Sequence, residues 1–125
     1  MTKAKYVDGY VLAVPKGRTA EYRKMAKEGA KMWMKFGALD YMECMGDDLK
    51  PKPGMSKLDF SSMVKAKKGE TVWFSFVTYK SKAHRDQVNK KVMAHFAKQY
   101  DEKNLPKWMT AMRMAVGGFK VEVSG

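Results

Sequence analysis

A chain of 125 residues suits one domain with its own hydrophobic core, and a single cysteine, Cys44, excludes an internal disulfide. The opening segment Met1-Thr-Lys-Ala-Lys5 lacks the apolar stretch of a signal peptide, and no apolar run approaches the roughly 18 residues needed to span a bilayer. These features exclude a disulfide-stapled or membrane-spanning class and predict a cytoplasmic protein, and the net charge of +12 comes mainly from scattered lysines, a pattern that favours a solvated surface over specific nucleic-acid recognition.

Tyr6 to Val14 (YVDGYVLAV) alternates, is rich in β-branched and aromatic residues, and stops at Pro15-Lys-Gly17, which predicts a first strand. From Thr19 onward, Tyr22, Met25, Ala26, Gly29, Met32, Trp33 and Phe36 recur at spacings of three and four, predicting a helix with Thr19 as N-cap and Gly37 past its end. Leu39 to Gly46 reads as a second strand, after which Pro51, Pro53 and Gly54 mark a loop to about Ser62 with room for a short turn. Thr71 to Tyr79 (TVWFSFVTY) is the strongest strand signal in the chain. Ser81 then caps a second helix to about Gln99, with Val88, Val92, Met93, Phe96 and Ala97 as its apolar stripe. Asp101 to Thr110 is a connection of unspecified form. A fourth strand follows from about Met112 to Val123, where Gly117-Gly118 marks a bulge or a close backbone approach.

The order strand, helix, strand, strand, helix, strand predicts an α+β, ferredoxin-like split βαβ domain, an antiparallel sheet with two helices on one face. Both faces of the strands are apolar, however: Val72, Phe74 and Phe76 alternate with Trp73, Ser75 and Val77. Two helices cover only one face, so a homodimer burying the other is expected. The twelve methionines are read as flexible core filler.

Several stretches carry a resemblance that spans nearly the whole chain. Tyr6-Val-Asp-Gly-Tyr10, Gly37-Ala-Leu-Asp-Tyr-Met-Glu-Cys44, Gly69-Glu-Thr-Val72, Ser81-Lys-Ala-His-Arg-Asp-Gln-Val-Asn89 and Gly117-Gly-Phe-Lys-Val121, in this order, resemble the DUF1428 family, whose function is unknown. The resemblance implies a dimeric α+β barrel, in which two ferredoxin-like sheets close on each other. The sequence departs from the family pattern between Asp101 and Met112 and at Val116. Wider barrel relatives include cofactor-free quinol monooxygenases, a lactone isomerase and haem-handling enzymes, so the fold alone does not select a chemistry.

The candidate chemistry begins with a local reversal of charge. Gly37 to Asp48 carries Asp40, Glu43, Asp47 and Asp48 and no base, and a carboxylate on a packed sheet must be solvated, paired or protonated. Alternation puts Asp8 with Tyr10, Tyr41 with Glu43, and Trp73 with Ser75. If these faces turn away from the helices, they line a space between sheet and partner suited to an aromatic or quinol-like ligand. Glu43 or Asp8 is then the candidate base, with His84 as a pocket-edge acid or base. The competing reading makes Glu43 and Asp8 structural, paired with Arg113 at the dimer seam. Met42 and Cys44 fall on the opposite, helix side, as a buried inert thiol and its neighbour.

His84 and His95 lie three helical turns apart and cannot share a metal, and no close ligand spacing predicts a protein-built metal site. Trp73 followed by His84 loosely resembles haem-degrading barrels, but Asp8 stands where those carry an amide, and no cofactor is expected. The sequence thus predicts a binder of an apolar or aromatic small molecule, as a cofactor-free oxygenase or isomerase. The alternative is a noncatalytic binding protein, including a weak lysine-mediated RNA binder.

Overall fold

The computed structural model describes residues 3–125, and of residue 102 the backbone only; Met1 and Thr2, which open the segment read as lacking a signal peptide, lie outside the described residues. In chain order the elements are β1 (Tyr6–Pro15), α1 (Thr19–Lys35), β2 (Asp40–Met45), α2 (Phe60–Met63), β3 (Glu70–Tyr79), α3 (Lys82–Gln99), α4 (Lys107–Thr110) and β4 (Met114–Lys120). The strands form one antiparallel sheet in the order β2-β3-β1-β4, the ferredoxin-like arrangement expected from the sequence. The single-turn helices α2 and α4 fill the two connections that periodicity left open. Among the described residues, no helix is long and apolar enough to cross a membrane.

Local signals account for most boundaries. A 3-10 turn at Lys16–Arg18 starts directly after Pro15, so Thr19 lies inside the wound segment and is not its N-cap; its hydroxyl donates to the Lys16 carbonyl at 2.8 Å. Gly37 ends α1 at φ +111°, a conformation that costs glycine little. Ser81 caps α3 as predicted, its hydroxyl accepting from the His84 amide at 3.0 Å. The register of β4 on β1 runs unbroken from Leu12–Met114 to Tyr6–Lys120, so Gly117-Gly118 is no bulge. It is a close approach: a Cβ on Gly118 would lie 2.3 Å from the Tyr6 hydroxyl.

The core lies between the sheet and the pair α1 and α3, where Tyr6, Leu12, Val14, Trp73, Val77 and Tyr79 meet Tyr22, Met32, Val88 and Val92. Since Asp8, Tyr10, Tyr41, Glu43 and Ser75 alternate in phase with these strand residues, they too face the helices. This corrects the expectation that they turn toward a partner. The opposite face carries Met42, Cys44, Phe74, Phe76 and Phe119, and Cys44 is exposed there, not buried on the helix side. Val64, just after α2, covers only the corner at Ala13 and Val72.

The methionines also depart from expectation. Met32 is buried, but seven others are exposed, including Met42 on the open sheet face and Met93 and Met114 above the helix-side surface. Core filling therefore describes few of them.

Candidate functional site

Glu43 occupies the middle of β2, opposite Ser75 of β3 in the sheet register. Tyr41, two residues earlier, points to the same side, and the core stripe of α1 brings Tyr22 over both. The Glu43 carboxylate accepts three hydrogen bonds from neutral hydroxyls: Tyr22 at 2.7 Å and Ser75 on Oε1, and Tyr41 at 2.6 Å on Oε2. These donors replace the water that burial removes. Burial, followed by the charge of Glu43, holds the Tyr22 hydroxyl well above the usual tyrosine range. Burial and the hydrogen bond to Glu43 do the same for Tyr41. Both phenols therefore remain protonated donors at neutral pH.

Around this carboxylate the helices stand off from the sheet and leave a cavity with two lobes, of about 330 and about 320 Å³, that share Tyr22, Met25, Trp33, Tyr41 and Glu43. One lobe runs beneath Phe96 and Tyr100 toward Leu105 and Met109; the other runs over Ser75 and Val77 toward Met93, Met112 and Met114. The lining is aromatic rings and thioethers, a surface that shapes itself to flat apolar molecules. Tyr10 lines the second lobe, its hydroxyl pushed up to about 12 by burial and the nearby charge of Asp8. Glu28 ties the middle of α1 to the C-terminal end of α3 over the first lobe, accepting from Gln99 at 2.8 Å and Tyr100 at 2.9 Å.

The other residues expected at the site fall elsewhere. Asp8 is buried but paired: Arg85 of α3 donates to it at 2.6 Å and Asn89 at 3.3 Å. Asn89 in turn accepts from Trp33 Nε1 at 3.0 Å and from the Tyr79 hydroxyl at 3.1 Å. Asp8 thus anchors α3 to β1, and its partner is Arg85 instead of Arg113. Arg113 lies outside the cavity, bound to Glu70 and to the Lys65 carbonyl at 3.0 Å. His84 accepts from the Lys80 amide through Nδ1 at 3.0 Å and packs edge-on against Tyr79, away from both lobes. Trp73 packs on Tyr22 with ring centroids 4.8 Å apart, next to the carboxylate cluster.

Sequence reasoning missed Tyr22, Arg85 and Asn89, all of which bind the two carboxylates. Each had a visible signal. Tyr22 sits in the core stripe of the first helix, where its hydroxyl requires a buried acceptor, and Arg85 and Asn89 share the Val88–Val92 side of α3. Among the described residues no cluster of three or more His, Cys, Asp or Glu side chains assembles that could hold a metal.

The fold resembles that of a dimeric ferredoxin-like protein from an uncultured marine organism, at a TM-score of 0.66 and 10% identity, covering 98% of this chain and 100% of that one. In sequence, the chain is 39% identical over 116 residues to the uncharacterized protein YbaA of Escherichia coli (strain K12), across 93% of this chain and 95% of that protein. The YbaA protein of Shigella flexneri matches equally. The model of a family described as proteins of unknown function, DUF1428, matches residues 5–110, which include the Glu43 cluster and stop before β4. With the family model covering most of its length and YbaA aligned almost end to end, the chain belongs to the DUF1428 family.

Proposed function

We propose that this protein binds a small aromatic molecule bearing one hydrogen-bond donor in the cavity between its helices and sheet, and does so as a homodimer. The observation that carries the reading is the half-buried Glu43 carboxylate, held by three hydroxyls beside rings and thioethers. An ionised carboxylate offers about four acceptor positions. Three are filled by Tyr22, Ser75 and Tyr41, and a ligand hydroxyl takes the remaining one on Oε2. The apolar open face of the sheet and the dimeric state of the ferredoxin-like neighbour support the homodimer.

The same carboxylate is the candidate base. Removing a proton from a carbon acid and returning it to another carbon is an isomerisation that uses no cofactor, and a carboxylate beside an apolar cavity is a suitable group to carry that proton.

Two probes test this reading. 2-Naphthol should bind, measured by calorimetry, and Met93→Trp, which fills the outer part of one lobe, should weaken it about tenfold, as loss of roughly 1.4 kcal/mol of contact would. Absence of 2-naphthol binding would overturn the cavity as a ligand site. 2-Tetralone incubated in deuterated water then separates catalysis from binding. Exchange of its α-protons by the wild type but not by Glu43→Gln, followed by NMR, identifies a base; binding without exchange identifies a noncatalytic carrier.

A further inference from the structure

The charge of the cavity runs against the charge of the chain. With a net charge of +12 overall, the protein might be expected to place basic groups around any hollow. Among the described residues, however, neither lobe is lined by a lysine or an arginine, whereas Glu43 lines both and Glu28 lines the first. The basic residues of α1, from Arg23 and Lys24 to Lys35, are exposed on its outer surface. Glu28 is partly answered: hydrogen bonds from Tyr100 and then Gln99 hold its carboxyl below the usual range, and the charges of His95 and Lys24 add to this. Glu43 has no ion-pair partner among the described residues.

Between the two carboxylates stands a row of aromatic rings. Tyr41, Trp33, Phe96 and Tyr100 follow one another with ring centroids 5.6, 6.3 and 6.0 Å apart, and all four line the first lobe. Tyr41 donates to Glu43 at one end of the row, and Tyr100 donates to Glu28 at the other. Aromatic faces attract cations through the ring quadrupole, tryptophan most strongly. A carboxylate set beside ring faces, with no basic group on the lining, stabilises a cation and penalises an anion. Among the described residues no set of metal ligands gathers there, so an organic cation fits the lining better than a metal ion.

We infer that the cavity takes an aromatic ammonium ion, whose charged nitrogen donates to Glu43 and whose ring lies among the aromatic and methionine side chains. This assignment rests on the cavity reading above and specifies its single donor as a charged N–H. An ammonium carries three protons. One goes to the open position on the carboxylate, and the oxygens of Tyr22 and Tyr41, which give their own protons to Glu43, keep lone pairs for the others. The positive charge of the whole molecule opposes the approach of any cation, so a preference for one must arise from the site itself.

The test compares (2-naphthyl)methylammonium with 2-naphthalenemethanol, which share ring and reach and differ in the charge of the donor, by calorimetry at neutral pH. Wild type should bind the ammonium about tenfold more tightly, because the charge-assisted hydrogen bond and the ring faces outweigh the cost of desolvating it. In Glu43→Gln, which keeps the shape of the side chain and removes its charge, the two affinities should become equal. Phe96→Leu, which removes one ring of the row, should narrow the preference about twofold. Equal affinities in the wild type, or tighter binding of the alcohol, overturn the ammonium assignment and leave the cavity reading intact. A preference that survives Glu43→Gln, or survives Phe96→Leu undiminished should the first variant not fold, overturns it as well. Failure of both probes to bind overturns the two readings together.

Discussion

Glu43 shows how this domain holds a carboxylate beneath its helices with no ion-pair partner among the described residues. Tyr22, Tyr41 and Ser75 supply the hydrogen bonds that water would otherwise provide. Tyr22→Phe removes a bond to a charged acceptor while preserving the ring on Trp73, and should cost about 1.5 kcal/mol in urea unfolding, since two donors remain. If Glu43→Gln in the same background adds its effect without coupling, the carboxylate is not held as a unit. The alkaline limb follows from the tyrosines. Burial raises the folded-state values of Tyr10, Tyr22, Tyr41 and Tyr79, with Tyr10 at about 12. A raised folded value contributes stability that is complete below the unfolded value near 10 and disappears as pH climbs through the folded one. The melting temperature should therefore fall from about pH 10 to pH 12, and absorbance should show these phenols ionising with unfolding and not before it.

At the scale of elements, the sequence made existence and order legible, because each strand and both long helices carry their own period and punctuation. It left orientation open. Phe74 and Phe76 are as apolar as Trp73 and Val77, so alternation separates two faces of β3 without saying which one meets the helices. Polar demand decides it: Asp8 needs Arg85 and Asn89, Glu43 needs Tyr22, and all three partners lie on helices. That pairing is tertiary, between residues far apart in the chain, and could not be read from any local window. Arg113 misled for the same reason, since Glu70 and the chain turn at Lys65 claim it first. The close approach at Gly117-Gly118, by contrast, was legible, and it yields a test. A methyl group on Gly118 would meet the Tyr6 ring at 2.9 Å, and Tyr6 is fixed beneath Arg85, whose guanidinium lies 4.9 Å from the ring centroid. Gly118→Ala should cost about 2 kcal/mol through displacement of Tyr6. Gly17→Ala, whose added methyl meets nothing within 4 Å, serves as control. Equal stability of the two variants in thermal melts would remove the packing argument.

For the whole molecule, the helix-side cavity and the open sheet face are consequences of one fact: a four-stranded sheet has two apolar faces, and this chain has helices for one. Phe74 and Phe119 are 43% and 62% exposed on the uncovered side, and Phe60 packs on Phe74 at 6.2 Å without closing over it. A second copy related by a two-fold axis would present the same residues in return, which is the geometry of a self-complementary interface. Because the cavity beside Glu43 lies on the opposite side, the proposed dimer interface and the proposed ligand site use different surfaces of the sheet. They can be separated by mutation. Phe74→Asp places a charge in the middle of the open face without touching Glu43 or its donors, and should halve the native mass while retaining the far-ultraviolet spectrum and 2-naphthol binding. A variant that stays dimeric would locate the interface elsewhere. A variant that becomes monomeric and also loses 2-naphthol would mean that the partner subunit shapes the cavity, through β4 or the α4 segment that borders its methionine-lined lobes.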